Sequence, residues 1–186
     1  MNIVLLGPPG SGKGTVGARI ADTFGLVTFD AGSALRERAL NGSPEERELL
    51  RPVLERGATA PTPVMMAIYR DWIRTQFELG HGVLSAGIPR GEQAEYFLRD
   101  VREGVYGCDA VLWLDASEDV LTRRLVGRLT CSSCGEIYHV EFRPPANPDS
   151  CDRCGSTLFR RQEDTRLDLV RARIAEQTAL MRSAID

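Results

Sequence analysis

Residues 1–15 read MNIVLLGPPGSGKGT, and the rest of the chain is organised around this stretch. Ile3, Val4, Leu5 and Leu6 form an apolar run with the length of a buried strand. Gly7-Pro8-Pro9-Gly10-Ser11-Gly12-Lys13-Gly14-Thr15 follows without a spacer, and Val16, Ile20 and Phe24 then recur at helical spacing up to Gly25. A G-x-x-x-x-G-K segment set between a strand and a helix is a phosphate cradle. Its glycines let backbone N–H groups approach phosphate oxygens, and the helix N-terminus adds its own N–H groups and partial positive charge. Lys13 would reach the β- and γ-phosphates, and it is the only lysine among 23 lysines and arginines. Lysine is a compact point charge where arginine is a planar fork, and a tight phosphate nest accepts the first.

At 186 residues the chain fits one domain with insertions and can bury a sizeable core. A net charge of −3 supplies no basic field to recruit nucleic acid or a membrane surface. Met1 leads straight into a strand-like run, so no leader peptide is expected, and no apolar run approaches the length needed to span a bilayer. The cytoplasm is the expected location. Four of the five cysteines form two C-x-x-C pairs, and Cys108 is expected to be a small core residue.

Along the chain, Leu26–Phe29 reads as a second strand, Asp30-Ala31-Gly32-Ser33 as a turn and Ala34–Leu40 as a short helix. Ser43-Pro44-Glu45-Glu46 has the form of a capping box opening a helix towards Gly57, with a kink expected at Pro52. Thr62-Pro63 opens the next helix, with Val64, Ile68, Trp72 and Phe77 on its apolar face. Val83–Ser85 is a third strand, Glu92–Glu103 a helix, and Ala110–Leu114 a fourth strand, after which Ser117 caps a helix through Gly127. Strands alternating with helices argue a parallel sheet with ligands at the carboxyl ends of its strands. From Arg128 to about Gln162, cysteines, turns and prolines replace that pattern, and helical spacing resumes with Leu167, Val170, Ile174 and Leu180.

Cys131-Ser-Ser-Cys134 and Cys151-Asp-Arg-Cys154 have the spacing of a four-cysteine zinc site. Two thiolate knuckles complete a tetrahedron and leave no position for water, so the metal would be structural. Two disulfides or a redox pair are the other uses of such cysteines, and a cytosolic chain disfavours lasting disulfides.

These residues resemble the adenylate kinases, a family of nucleoside monophosphate kinases, in the form with a zinc-bound lid. GPPGSGKGT at 7–15 is similar to the family's P-loop, GIPR at 87–90 to its G-F-P-R segment, RLVGRLTCSSCGEIYH at 124–139 to the hinge and start of the lid, and CDRCG at 151–155 with RRQED at 160–164 to its end. The resemblance implies an α/β fold, a P-loop NTPase-like parallel sheet of four recognisable strands flanked by helices. Residues 1–29, 61–127 and 163–186 would form the core, 30–60 a helical insert for the monophosphate, and 128–162 the zinc lid. It implies phosphoryl transfer from ATP to a nucleoside monophosphate, AMP first among them, with Mg²⁺ accompanying ATP. Residues 10–15 would hold the donor phosphates. Arg36 and Arg90 would grip the acceptor phosphate, with Ala31, Gly32, Gly87 and Gln93 around the acceptor. Arg124 would lie against the donor adenine with Arg128 on its phosphates, and Arg161 and Arg173 would close over the transferring group. A monomer is expected, with an exposed sheet edge as a route to a dimer.

The pattern departs from the family in particular places. Ala31 stands where adenylate kinases usually have a threonine, and Ala31-Gly32 is instead similar to pyrimidine monophosphate kinases, which leaves a pyrimidine monophosphate acceptor as an alternative. Ser33 and Ala86 replace two aspartates that orient the waters of Mg²⁺, leaving Thr15 as a hydroxyl candidate and Asp115 as the nearest acid. The chain stops at Asp186, where the family continues with a further strand and helix. The Arg161–Arg173 spacing is one residue long, which leaves Arg160, Arg161 and Gln162 open for the phosphate-facing role, and the Arg90–Gln93 spacing is one short. Two other readings stay open: a nucleotide-binding relative with little or no transfer activity, and a nucleic-acid module built on the cysteine insert, which the net charge opposes.

Overall fold

The computed structural model describes residues 1–56 and 60–184, without the side chains of Arg36, residues 52–56 and Gln162. Two compact units make up the chain, one of residues 1–7, 12–114 and 179–186, the other of residues 8–11 and 115–178.

The first unit is built on a four-stranded parallel sheet. Strand β1 (Asn2–Leu6) is buried at all five positions. It lies between β3 (Gly82–Ala86) and β4 (Ala110–Trp113), and β2 (Leu26–Asp30) pairs with the outer side of β3, giving the order β2-β3-β1-β4. The unbroken apolar run 3–6 follows from this central place: a strand covered on both faces has no polar side to show. Ile3 and Leu5 pack with Leu84 on one face, while Val4 and Leu6 join Phe29, Tyr69, Ile73, Val83 and Phe97 on the other. Leu5 is completely buried, so Leu5→Ala would cost about 2–5 kcal/mol.

Helix α1 (Lys13–Phe24) runs close against the sheet: a Cβ at Gly17 would come within 3.2 Å of the Leu84 side chain. Helix α2 (Ala31–Asn41) begins earlier than the sequence suggests, because Asp30 at the end of β2 acts as its N-cap and accepts a 2.7 Å hydrogen bond from the Ser33 N–H. The expected turn at 30–33 is therefore the first turn of a helix. The capping box of α3 (Pro44–Arg56) forms reciprocally, Ser43 N–H to Glu46 and Glu46 N–H to the Ser43 hydroxyl, and the helix continues through Pro52. Helix α4 (Thr62–Glu78) buries Met65, Met66, Ile68, Tyr69 and Ile73, and α5 (Gln93–Arg102) buries Gln93, Ala94, Phe97 and Asp100. Cys108 is half-buried and packs against the same core.

In the second unit, α6 (Glu118–Val126) packs Leu121 and Leu125 against Val170 and Ile174 of α7 (Leu167–Arg182). Ser117 occupies the N-cap of α6 without a side-chain hydrogen bond, contrary to expectation. The cysteine insert contains an antiparallel sheet that its turn-rich composition does not announce: β5 (Arg128–Cys131) lies between β6 (Ile137–His139) and β7 (Leu158–Phe159). Strands of two to four residues are too short to show alternation. A single 3-10 turn (Gln162–Asp164) precedes α7. Among the described residues no helix is long and apolar enough to cross a membrane.

Candidate active site

In the first unit the carboxyl ends of β1 and β3 lie side by side, because Leu5 is in register with Ala86. Gly87 follows β3 and donates its N–H to the Leu5 carbonyl at 2.9 Å. Gly12 is the N-cap of α1, with no side-chain cap bond, so the first turn presents backbone N–H groups at this edge of the sheet. Lys13 opens the helix and its Nζ donates to the Gly7 carbonyl at 2.6 Å, while Gly14 and Thr15 are exposed. Arg90 Nε donates to the Gly87 carbonyl at 2.8 Å. A Cβ built on Gly87 would lie 3.7 Å from Lys13 Cε and 4.0 Å from Arg90 Nη2, so the lysine and the arginine converge over this one glycine. Two cations on one glycine corner can neutralise a dense anion, and both take their orientation from backbone carbonyls.

The other acceptor-side candidates fall differently. Ala31 is buried at the start of α2 and Gly32 is half-buried beside it. Arg36 belongs to α2, but its side chain lies outside the described residues. Gln93 is buried, and its Oε1 accepts from the Arg90 N–H at 3.1 Å. Ser33 is exposed, and the Asp115 carboxylate accepts from the neighbouring Ala116 N–H at 3.0 Å. Asp30 and Ala86 are register partners across β2 and β3, which puts one carboxylate beside the position where an acid is missing.

In the second unit, Gly10 takes a left-handed conformation (φ 81°), and a Cβ there would meet the Leu121 carbonyl at 2.9 Å; only glycine fits this approach to α6. The Ser11 hydroxyl is buried and has no hydrogen-bond partner among the described residues. Arg124 Nη1 stands 3.4 Å from the carbonyls of both Gly10 and Ser11. Arg128 donates Nε and Nη2 to one oxygen of Asp164 at 2.9 and 2.5 Å, and Arg173 donates Nη1 to the other at 3.2 Å. Asp164 is 1% exposed. It fixes two of the expected phosphate-binding arginines at once, a role that sequence reasoning missed although the acid stands in the quoted RRQED run. The available signal was an acid next to arginines at the end of the insert. Arg161 Nε donates to the Thr130 hydroxyl at 3.2 Å, and Arg160 donates to the Val126 carbonyl at 2.9 Å. The Gln162 side chain lies outside the described residues.

Cys131, Cys134, Cys151 and Cys154 present their sulfurs within 4.8 Å of one another. The 131–154, 134–154 and 134–151 separations are 3.4, 3.5 and 3.7 Å. Metal–sulfur bonds of about 2.3 Å in a tetrahedron require edges of about 3.8 Å, so the four thiols fit one ion of that kind. The Ser156 hydroxyl and N–H bring the Cys154 thiol down to about 6. The Glu136 N–H acts the same way on Cys134, but burial and hydrogen bonds to Cys154, Cys131 and Cys151 outweigh it and push that thiol up to about 12. A cation would let all four thiols ionise together.

A parallel sheet whose first strand runs through a glycine-rich loop into a helix defines a P-loop nucleotide-binding protein of the doubly wound α/β class. The sequence model of the adenylate kinase family matches residues 5–186. The chain is 35% identical over 183 residues to the adenylate kinase of Syntrophotalea carbinolica, covering 96% of this chain and 83% of that protein. It is 36% identical over 177 residues to the adenylate kinase of Zymomonas mobilis (95% and 78%), and 38% identical over 165 residues to that of Methanothrix thermoacetophila (88% and 75%). The chain belongs to the adenylate kinase family, whose members are phosphotransferases acting on nucleoside monophosphates.

Proposed function

We propose that the protein transfers the γ-phosphoryl group of ATP to AMP, reversibly, giving two molecules of ADP. The observation that carries this reading is the convergence of Lys13 and Arg90 over Gly87 at the carboxyl edge of the sheet, in a chain related throughout to adenylate kinases. In the reaction an oxygen of the AMP phosphate attacks the γ-phosphorus. The new P–O bond forms as the bond to the β–γ bridging oxygen breaks, and that oxygen leaves with its electron pair as part of ADP. No covalent intermediate on the protein is needed. Catalysis rests on alignment and on neutralising charge that spreads over the transferring group.

In this reading Lys13 and the backbone of residues 10–15 hold the donor phosphates, and the buried Ser11 hydroxyl has a phosphate oxygen as its partner. Arg90 holds the acceptor phosphate, with Arg36, Ala31, Gly32 and Gly87 around it. Arg124 serves the donor adenine. Arg128, Arg161 and Arg173 serve the donor and transferring phosphates, with Asp164 keeping the first and last in place until a phosphate competes for them. Arginine suits that task because its fork grips phosphate oxygens in pairs. Mg²⁺ would enter with ATP, polarising its phosphates, with Thr15 as the hydroxyl nearest the motif position. Zn²⁺ on the four cysteines holds the 128–162 insert, which acts as the lid; residues 30–60 act as the acceptor insert, and 1–29, 61–127 and 163–186 as the core.

A screen of AMP, CMP, UMP and GMP with ATP and Mg²⁺ tests the proposal. AMP should give the highest kcat/KM, with ADP as the only nucleotide product of the AMP reaction. Preference for CMP would reassign the acceptor, and absence of transfer to all four would overturn the enzymatic reading.

A further inference from the structure

The Arg90 turn is held in a way that assigns a different task to Gln93 from the one its motif position implies. Gln93 is 6% exposed. Its Oε1 accepts from the Arg90 N–H at 3.1 Å, and its own N–H donates to the Arg90 carbonyl at 3.0 Å. Both backbone groups of the arginine therefore bond to this one residue. The next residue, Gly91, is left-handed (φ 49°) and donates its N–H to the Leu180 carbonyl at 2.7 Å, while its carbonyl accepts from Ala94 at 2.9 Å. The backbone of Arg90 is thus held on both its N–H and its carbonyl by Gln93, while its guanidinium donates Nε to the Gly87 carbonyl.

Reading a purine edge with a glutamine takes both ends of its amide, the oxygen accepting and the NH₂ donating in one plane. Here the oxygen faces the backbone of Arg90. Turning it towards a base would leave a part-buried N–H without its partner, the arrangement that hydrogen-bonded structures avoid. Ala31, the other residue expected near the base, is 4% exposed and contributes only a methyl group to the core. The shortened Arg90–Gln93 spacing explains the geometry: three residues along a turn entering a helix is the separation at which a Gln or Glu side chain reaches back to a backbone N–H, as in a capping box.

We propose that Gln93 is a positioning residue for Arg90 and that discrimination between acceptor bases does not pass through its amide. The inference rests on the acceptor role proposed for Arg90, and its test has one readout that does not. In ¹⁵N-labelled protein, amide exchange at Arg90 is followed in the parent, in Gln93→Ala, in Gln93→Met, which keeps the volume, and in Gln93→Glu, which keeps an acceptor oxygen. Exchange should speed up roughly 3- to 10-fold in the Ala and Met variants, the span of one ordinary hydrogen bond, and return to the parent rate in the Glu variant. KM is then measured for AMP and for CMP. Ala and Met should raise both by the same factor, roughly 3- to 10-fold by the same argument, with kcat changed less, and Glu should restore both. The AMP-to-CMP ratio of kcat/KM should stay within about 2-fold of the parent in every variant. A fall of about 10-fold or more in that ratio for Ala and Met would overturn the proposal. So would a Glu variant that behaves like Ala, or unchanged Arg90 exchange in Ala and Met. If the parent transfers phosphate to no nucleotide, the kinase reading fails by itself, and the exchange rates still decide whether Gln93 holds the turn.

Discussion

The two units hold the cations proposed for phosphate binding by different means. In the first, Lys13 rests on the Gly7 carbonyl and Arg90 on the Gly87 carbonyl. In the second, Arg128 and Arg173 share the buried carboxylate of Asp164. A carbonyl is a dipole that orients a cation while leaving its charge available to a phosphate. A buried carboxylate is a full counter-charge, so those arginines are part of the folded unit's own electrostatics before any nucleotide arrives. The first pair is therefore expected to matter less for folding than the second.

The largest effect should come from Lys13. Lys13→Ala should lower kcat by about 10²–10³-fold or more while leaving the thermal midpoint within a few degrees, since it removes a part-buried charge and no core packing. Lys13→Arg should fail as well, because a planar fork does not enter a nest shaped for a point charge. Steady-state kinetics beside a melting curve reads both, and a large loss of stability in Lys13→Ala would break the comparison.

Metal removal comes next and should strike only the second unit. Protein purified without added zinc should carry about one equivalent of the metal. Chelation, or Cys151→Ser, should raise hydrogen exchange across residues 128–162 and leave the amides of β1 and β3 protected. Intact disulfides with no metal would refute the assignment.

Asp164→Asn should sharpen the contrast. It keeps the shape but removes the negative charge, leaving Arg128 and Arg173, whose side chains are 17% and 26% exposed, without their shared counter-charge. Loss of one partner of a fully buried pair costs about 3–5 kcal/mol, so partial exposure of the arginines puts the expected loss below about 3 kcal/mol, which denaturant titration would register, in a variant whose kcat should also fall. A variant with parent stability would show that the arginines are not built into the fold.

The smallest effect concerns the missing acids. Ala86→Asp, alone or with Ser33→Asp, should raise kcat and lower the free Mg²⁺ needed for half-maximal rate, by up to about 10-fold, as for outer-shell metal partners generally. Because Ala86 is the register partner of Asp30, the new carboxylate also stands beside an existing one. Without Mg²⁺ the variant should therefore melt lower, by about 0.2–1 kcal/mol of like-charge repulsion. Rates and Mg²⁺ dependence that do not move would mean that another acid, Asp30 being the adjacent one, already orients the metal's waters.

What could be read in advance follows the range of the forces involved. Ile3–Leu6 and the glycines after it are local signals, and a central parallel strand running into a phosphate loop is their direct consequence. The capping box at Ser43 and Glu46 is equally local and forms as expected. Ser117 carries the same kind of signal and occupies the N-cap of α6, yet makes no side-chain cap bond. The start of α2 was misplaced because Asp30 reads alike as a turn residue and as a helix cap; its pairing with Ala86 across the sheet sets where the strand ends. The small sheet of the insert was missed because its strands are held by partners distant in sequence, not by their own alternation.

The sequence by itself therefore determined the P-loop architecture, the two C-x-x-C knuckles and the family, since each rests on short motifs whose residues stand a few positions apart. The tertiary structure alone decided which groups those residues meet. Asp164 reaches Arg128 across 36 positions, and Lys13 and Arg90 meet over Gly87 because strands far apart in the chain lie in register. Gln93 lies between these cases: its spacing was visible, but whether its amide faced a base or the backbone depended on the turn that Gly91 and Leu180 close. A hydrogen bond is specific to a few tenths of an ångström, and only the packed chain sets positions that finely.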